Sequence, residues 1–313
     1  MSENTINNGK IYDLVIIGAG PAGLGASIYA SRYKLDHIVI GNEIGGQVVE
    51  AAEIENWAGD VSISGKDLMG KFEKHARHLG AEIIQADVSN IDAVPEGFKV
   101  FSGKNEYLAK SIILALGMKA RKMNAPGEDK FIGKGVSYCA TCDAMFFRNK
   151  DVVVIGGGDA AATAAIHLSE FADKIYLLYR EKYIFEPAWE EQIKNNSKIE
   201  MINMKNIKEI KGDGKVSGII YETNEGDKEL AVQGVFIEVG TTPGVAIAQE
   251  LGVKLDEQNY IIVDQTQATN IDLIYAAGDV STGSNKFRQI ITAVAEGAVA
   301  AGSAYRKLKL AKK

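Results

Sequence analysis

Short β-branched apolar runs recur along the chain, and most lead into glycine. The first is Tyr12-Asp13-Leu14-Val15-Ile16-Ile17, which predicts a short strand. It passes into Gly18-Ala19-Gly20-Pro21-Ala22-Gly23 and then a small-residue helix to about Tyr33. His37-Ile38-Val39-Ile40 predicts the next strand, and Ser111 to Gly117 a buried strand closed by glycine. At Asp151-Val152-Val153-Val154-Ile155 the pattern restarts, with Gly156-Gly157-Gly158-Asp159-Ala160-Ala161, a helix to about Phe171 and a strand from Lys174 to Tyr179. A last run, Leu273 to Ala277, ends in Gly278-Asp279, and Phe287-Arg288-Gln289 opens a long small-residue helix to about Leu308. Shorter helices are expected at Lys66–Leu79 and Trp189–Asn196.

Gly18, Gly20 and Gly23 form G-x-G-x-x-G in its required setting, between a strand and a helix. The first glycine allows the tight turn, the second lets backbone approach a pyrophosphate, and the third lets helix pack on strand. The helix N-terminus then offers free N–H groups to phosphate. The acidic residue expected after the second strand is displaced to Glu43. Gly156, Gly158 and Ala161 repeat the device, so the chain carries two dinucleotide-type βαβ units. The fold expected is α/β, with two Rossmann-like three-layer nucleotide-binding domains, the second inserted into the first. The discontinuous domain would comprise residues 1–118 and 246–313, and the inserted one 119–245, with turn chemistry at both crossings, Gly117-Met118-Lys119 and Gly240-Thr241-Thr242-Pro243-Gly244.

Bulk properties narrow the function. With 46% hydrophobic residues in 313, the chain has material for buried cores, and 33 glycines against 5 prolines favour tight turns over linkers. The net charge of −6 argues against nucleic acid as a partner. The one basic run, Lys307-Leu308-Lys309-Leu310-Ala311-Lys312-Lys313, reads as a frayed, solvated end. Met1 to Lys10 has no signal-peptide core. The uncharged stretch Leu14 to Ala30 approaches membrane-spanning length, but its glycines and proline assign it to strand, loop and helix. A soluble cytoplasmic protein without a membrane segment is expected.

The only cysteines are Cys139 and Cys142, in Cys139-Ala140-Thr141-Cys142. A lone C-x-x-C in a cytoplasmic chain is a redox pair or half a metal site. The metal reading needs two more ligands, and the candidates His75 and His78 lie far upstream on an expected solvated helix face. No metal is expected. A static structural disulfide is disfavoured by compartment and by the short loop it would close. Thiolate is the reactive form, and cysteines opening a helix from Cys139 to Phe147 gain from its dipole.

Ordered over nearly the whole chain, Gly18 to Gly23, Gly45-Gly46-Gln47, Glu55-Asn56-Trp57, Cys139 to Asp143, Gly156 to Gly158, Gly278-Asp279 and Arg288-Gln289 resemble the low-molecular-weight, homodimeric thioredoxin reductases. The resemblance implies an FAD-dependent disulfide oxidoreductase serving thioredoxin or a similar dithiol protein. It implies FAD held by Gly18, Gly20, Pro21, Ala22 and Gly23, with Glu43, Gly45, Gln47, Asn56, Gly117, Gly278, Asp279, Arg288, Gln289 and Ile290 around it. By the same resemblance Cys142 receives electrons from flavin, Cys139 is the interchange thiol and Asp143 the general acid and base. The plainer readings are a helix cap for Asp279 and a first-turn carboxylate for Asp143. The resemblance also implies a homodimer and a rotation of the inserted domain between half-reactions. The surface around Phe146, Phe147 and Arg148 is expected to meet the protein substrate.

Two departures stand out. Relatives usually have threonine in the middle of Ala115-Leu116-Gly117. They also read His-Arg-Arg, with a further arginine, where this chain has Tyr179-Arg180-Glu181 and Phe185. A 2′-phosphate needs those cations, and Glu181 would repel it, whereas an acidic residue there is the NADH pattern. NADH is therefore expected ahead of NADPH, with Gly156, Gly158, Asp159, Ala160, Arg180 and Glu181 as the nucleotide contacts. Alternatively Tyr179, Tyr183, Phe185, Pro187 and Trp189 fill the adenosine pocket and a ferredoxin or deazaflavin donor supplies the electrons, as in some relatives lacking the triplet. A flavin-binding redox sensor with little turnover is the alternative of another class.

Overall fold

The computed structural model describes residues 10–51 and 53–310. Two compact units emerge, residues 1–118 with 243–313, and 119–242.

The first unit is built on a parallel five-stranded sheet in the order Ile274–Ala276, Ile112–Leu114, Leu14–Ile17, His37–Gly41, Glu82–Gln85. Its strands alternate faces. Val15 and Ile17 join one apolar cluster, Leu14 and Ile16 another. Both faces are covered, which is why the strand reads as a continuous apolar run and not an alternating one. A four-stranded sheet, Ile11–Tyr12, Asn105–Ala109, Gly97–Ser102, Asn90–Val94, supplies Tyr12, Phe98, Val100 and Tyr107 to one of those clusters. Against the other pack the helices Pro21–Arg32 and Ile290–Leu310. Their contact is made of Ala26, Ala300, Ala301 and Ala304, and a Cβ on Gly297 would lie 2.1 Å from the Ala22 carbonyl oxygen. The small residues are therefore what lets the two backbones approach.

The second unit repeats the plan. Its parallel sheet runs Val136–Ser137, Gly234–Ile237, Asp151–Ile155, Lys174–Arg180, Ile199–Met204. Val152 and Val154 face the helix Asp159–Ser169, while Val153 and Ile155 face a cluster shared with an antiparallel sheet of Asn206–Asp213, Lys215–Thr223 and Gly226–Leu230.

Some elements differ from expectation. The expected Cys139–Phe147 helix is a single α-turn, Ala140–Asp143, followed by a 3-10 turn, Ala144–Phe147. Phe147 is buried among Val152 and Phe236, so only Phe146 of that aromatic pair faces solvent, at 64% exposure beside Met145 at 63%. The basic end is not frayed from its start. Lys307 to Leu310 continue the last helix, Leu308 is buried and Lys307 pairs with Asp272 at 2.9 Å, while Ala311 to Lys313 lie outside the described residues. Met1 to Gly9 also lie outside them. Leu14 to Ala30 is strand, turn and helix, and no helix among the described residues is long and apolar enough to cross a membrane. His75 and His78 are exposed on the helix Gly65–His78.

Candidate functional site

In the first unit the glycine loop leaves the central strand with its turn fixed by tertiary contact. Gly18 donates its N–H to Ile40 at 2.8 Å and adopts φ +112°, and a Cβ there would lie 2.0 Å from the Ala115 oxygen. A Cβ on Gly23 would lie 1.8 Å from the Gly18 oxygen. The helix Pro21–Arg32 starts at Gly20 without a side-chain cap and without an acidic residue in its first turn, with Pro21 where no amide is needed. Its first N–H groups are thus left to a ligand, and the dipole favours an anion.

Three other segments meet this turn. Gly45 donates to the Ala19 carbonyl at 2.8 Å, which lays the Gly45-Gly46-Gln47 loop beside Gly20. Gly278 approaches Ala22 so closely that a Cβ would lie 2.9 Å from the alanine methyl. Asn56 donates its amide N–H to the Gln289 Oε1 at 3.1 Å, tying the Glu55-Asn56-Trp57 segment to the start of the last helix, where Ile290 packs on the Ile54, Leu68 and Met69 cluster. Arg288 lies over the Tyr260 ring at 4.5 Å. Gly117 sits at φ +60° after the Ile112–Leu114 strand, and its carbonyl accepts from Gly244 at 3.2 Å. Thus Gly18 to Gly23, Gly45, Gly46 and Gly278, with Asp279 next to it, come together around one turn, Gln47 follows exposed on the 3-10 turn Gly46–Glu50, and Asn56 with Gln289 and Ile290 form a second group.

Burial drives the acids here. Asp279 is pushed up to about 6, first by burial and then by Glu296, against the Arg288 guanidinium, which pulls it down. Among the described residues none donates a hydrogen bond to its carboxylate. Glu50 is pushed up to about 7 by burial and by Glu43, itself exposed two residues beyond the His37–Gly41 strand. The turn holds uncapped amides, close-approach glycines and a half-buried unbonded carboxylate, and these donors and acceptors fit a pyrophosphate and a polyhydroxyl chain.

Sequence reasoning missed Glu296. It is 5% exposed on the last helix, and its Oε2 accepts from Gly278 N at 2.8 Å and from Ser281 Oγ at 3.1 Å. A carboxylate in an otherwise alanine-rich helix was the only available signal.

In the second unit Cys139 and Cys142 form a disulfide with Cα atoms 5.4 Å apart. Cys139 is half-buried and Cys142 exposed. Cys139 caps the turn it opens, its Sγ accepting the Cys142 N–H at 3.1 Å. Asp143 closes that turn, half-buried, with its N–H on the Cys139 carbonyl at 3.3 Å.

The second glycine loop is in place at the N-terminus of the helix Asp159–Ser169. Its surroundings are made by its own chain. Ile184 donates to the Gly157 carbonyl at 2.7 Å, and Glu186 N–H donates to the Asp159 Oδ1 at 2.7 Å. Tyr183 stacks on Phe185 with centroids 4.7 Å apart, and Tyr179 meets Tyr183 edge-on. Phe185 is buried. Arg180 gives a guanidinium N–H to Asn206 at 2.7 Å. Glu181 is exposed, one residue past the Lys174–Arg180 strand. Gly158 and Ala160 are exposed at the loop's rim.

Two glycine-loop turns with a disulfide beside the second are the arrangement that comparison resolves. The pyridine nucleotide-disulphide oxidoreductase family matches over residues 12–297. The chain belongs to that family. It is 40% identical to the thioredoxin reductase of Listeria innocua over 302 residues, 95% of this chain and 94% of that one. It superposes on the crystal structure of T. acidophilum thioredoxin reductase with a TM-score of 0.90, at 39% identity, covering 96% of this chain and 99% of that. A ferredoxin-flavin thioredoxin reductase from Clostridium acetobutylicum is similar at 35% identity with a TM-score of 0.52, covering 96% and 99%. The chain is an FAD-dependent disulfide oxidoreductase of thioredoxin reductase type, its two-unit α/β architecture is that family's, and the Cys139–Cys142 pair fits a redox-active disulfide.

Proposed function

We propose that this oxidoreductase reduces thioredoxin or a similar small dithiol protein, with Cys139 as interchange thiol, Cys142 as the cysteine that first accepts electrons, and Asp143 as the proton carrier. The observation that carries the reading is the disulfide at the surface of the second unit, with Cys142 exposed and Met145 and Phe146 exposed just beyond it. FAD, when bound, supplies electrons to the disulfide two at a time. Residues Gly18, Gly20, Pro21, Ala22, Gly23, Glu43, Gly45, Gln47, Asn56, Gly117, Gly278, Asp279, Arg288, Gln289 and Ile290 would hold it in the 1–118 and 243–313 unit. Two electrons and two protons convert the disulfide into two thiols. Cys139 gives its proton to Asp143, and the resulting thiolate attacks one sulfur of the partner's disulfide. A Cys139–partner S–S bond forms, the partner's own S–S bond breaks, and its leaving sulfur takes a proton. Asp143, in the same turn as Cys139, is placed to hold and return that proton, directly or through water. Cys142 next attacks Cys139, restoring the internal disulfide and releasing the partner's second thiol. Met145 and Phe146 offer the apolar surface on which a partner protein docks.

For the donor, NADH is favoured over NADPH. Glu181 stands exposed just past the strand that follows the second glycine loop, where a carboxylate suits ribose hydroxyls and repels a 2′-phosphate. Phe185 is buried where relatives place an arginine, and Arg180 is engaged by Asn206. A second reading, a non-nicotinamide donor such as ferredoxin, is favoured by the segment 183–186, whose own amides already bond Gly157 and Asp159. Anaerobic titration of the flavin visible band separates them. Near-stoichiometric bleaching by NADH, with a weak response to NADPH, is the expected result. Reduction by dithionite or reduced ferredoxin but by neither nicotinamide would overturn NADH and leave the second loop as scaffold.

A further inference from the structure

Glu128 is a carboxylate only 2% exposed, and the oxidoreductase chemistry above makes no use of it. Its Oε1 accepts the Met123 N–H at 3.1 Å and also the Tyr138 hydroxyl, and its Oε2 accepts the Ala125 N–H at 3.0 Å. A buried carboxylate with this many donors is locked in place, and so is whatever hangs from it. What hangs from it is Tyr138, the residue directly before Cys139.

The other side of the same segment is fixed as tightly. Ser137, 4% exposed at the end of the edge strand Val136–Ser137, accepts the Cys139 N–H at 3.0 Å and donates its hydroxyl to the Cys139 carbonyl at 3.2 Å. That strand is itself in register with Val235 and Phe236. Cys139 is thus held from the sheet by Ser137 and from the loop at 123–125 by Glu128 through Tyr138. The consequence falls on sulfur. With its backbone so placed, Cys139 Sγ meets the Cys142 N–H at 3.1 Å.

In the disulfide form the covalent bond holds that sulfur together with these anchors. Once the bond opens, only the noncovalent anchors do. The thiolate then depends on them to keep the N–H donor that stabilises it. We propose that Glu128 and Tyr138 are positioning residues for the interchange thiol, holding Cys139 in the helix-capping geometry after the disulfide has been reduced. The proposal rests on the reading of Cys139 as that thiol. Burial, and then the Glu128 carboxylate, keep the Tyr138 phenol above its ordinary range, so it stays a donor at every working pH. The charged groups about the segment are Glu128 and Asp129 on the Tyr138 side, Lys122, which pairs with Asp129 at 2.8 Å, and Asp143 in the turn that Cys139 caps.

The test uses the FAD-loaded full chain carrying Cys142→Ser, which leaves Cys139 as its single thiol. The rate of alkylation by iodoacetamide is measured against pH, alone and with Tyr138→Phe or Glu128→Gln added. Tyr138→Phe keeps the ring, leaves both amides on Glu128 and changes none of the charged groups, so it remains informative where Glu128→Gln fails to fold. The expected result is an alkylation midpoint moved up toward the free-cysteine value and a rate at pH 7 lowered by roughly three- to tenfold. A folded Tyr138→Phe protein with the parent's midpoint and rate would overturn the proposal. Cys139→Ser, which leaves only Cys142, separates the two ideas. If Cys142 alkylates faster than Cys139 in the otherwise unmodified chains, the interchange assignment itself fails. If Cys139 is the faster thiol but ignores Tyr138→Phe, only the anchor fails.

Discussion

At the scale of single residues, the acids of the first unit carry the clearest pH signature. Glu50 has an ordinary value of 4.5 and is pushed up to about 7 by burial and then by Glu43. Between those values the folded state binds more protons than the unfolded chain. Stability therefore falls as pH rises through that window and levels off above about 7. Asp279 has the same sign over a lower window, from 3.8 to about 6. Glu50→Gln removes the first contribution. It is expected to gain on the order of 1–2 kcal/mol at pH 8 and to gain nothing at pH 4.5, after discounting for the carboxyl's partial solvent access. Urea unfolding of the two proteins at both pH values checks this, and parallel curves would refute it. Such a carboxyl could not be recognised in Val48-Val49-Glu50 from the sequence. Its shift comes from burial, and then from Glu43, both set by how the folded chain packs.

Among the elements, the helix Ile290–Leu310 acts at both ends of the first glycine site. Gly297 lets it lie on the Ala22 carbonyl, and the Glu296 carboxylate one residue earlier holds the loop from Gly278 to Ser281 by accepting two hydrogen bonds. Removing the carboxylate leaves a buried N–H and hydroxyl without their acceptor. Glu296→Ala is expected to cost about 2–3 kcal/mol and to release FAD at a lower temperature. Glu296→Gln retains an acceptor and is expected to lose less. Flavin fluorescence followed through a thermal ramp reads both. Equal release temperatures for Glu296→Ala and the parent would show that the loop does not depend on this helix. The boundaries of these elements were partly legible. Periodicity located the helix, but its start at Ile290 and not Phe287 follows from three successive left-handed residues, Ser284, Asn285 and Lys286, which no propensity announces. Likewise the Cys139 helix shrank to one α-turn because Phe147 is drawn into the core against Phe236.

For the whole molecule, the organisation as one unit set within another has a direct consequence. Each unit has its own apolar clusters on both faces of its own parallel sheet. In each, the two ends at the crossing lie side by side. Gly244 donates to Gly117 at 3.2 Å in the first, and Arg121 donates to Gly240 at 2.9 Å in the second. Joining residue 118 to 243 through a short glycine linker is therefore expected to leave a folded yellow protein that retains the flavin visible band and has no dithiol reductase activity. The excised segment 119–242 is expected to fold as a colourless protein with its disulfide intact. Absorbance spectra and thiol titration of the two pieces test this. A colourless or insoluble first piece would show that the inserted unit completes the flavin site.

The sequence by itself determined the two glycine turns, their flanking strands, the insertion of one unit in the other and the paired cysteines. These are written in contiguous residues, because a strand buried on both faces must be apolar throughout and a phosphate turn must be small. Only the tertiary structure decided which acids are set apart. Glu50, Glu128 and Glu296 look like any other glutamate in the chain, and Tyr138 and Ser137 like any other hydroxyl. Their roles depend on loss of water and on donors set around them, as Gly278 and Ser281 are around Glu296, and those conditions exist only once the chain has closed around them.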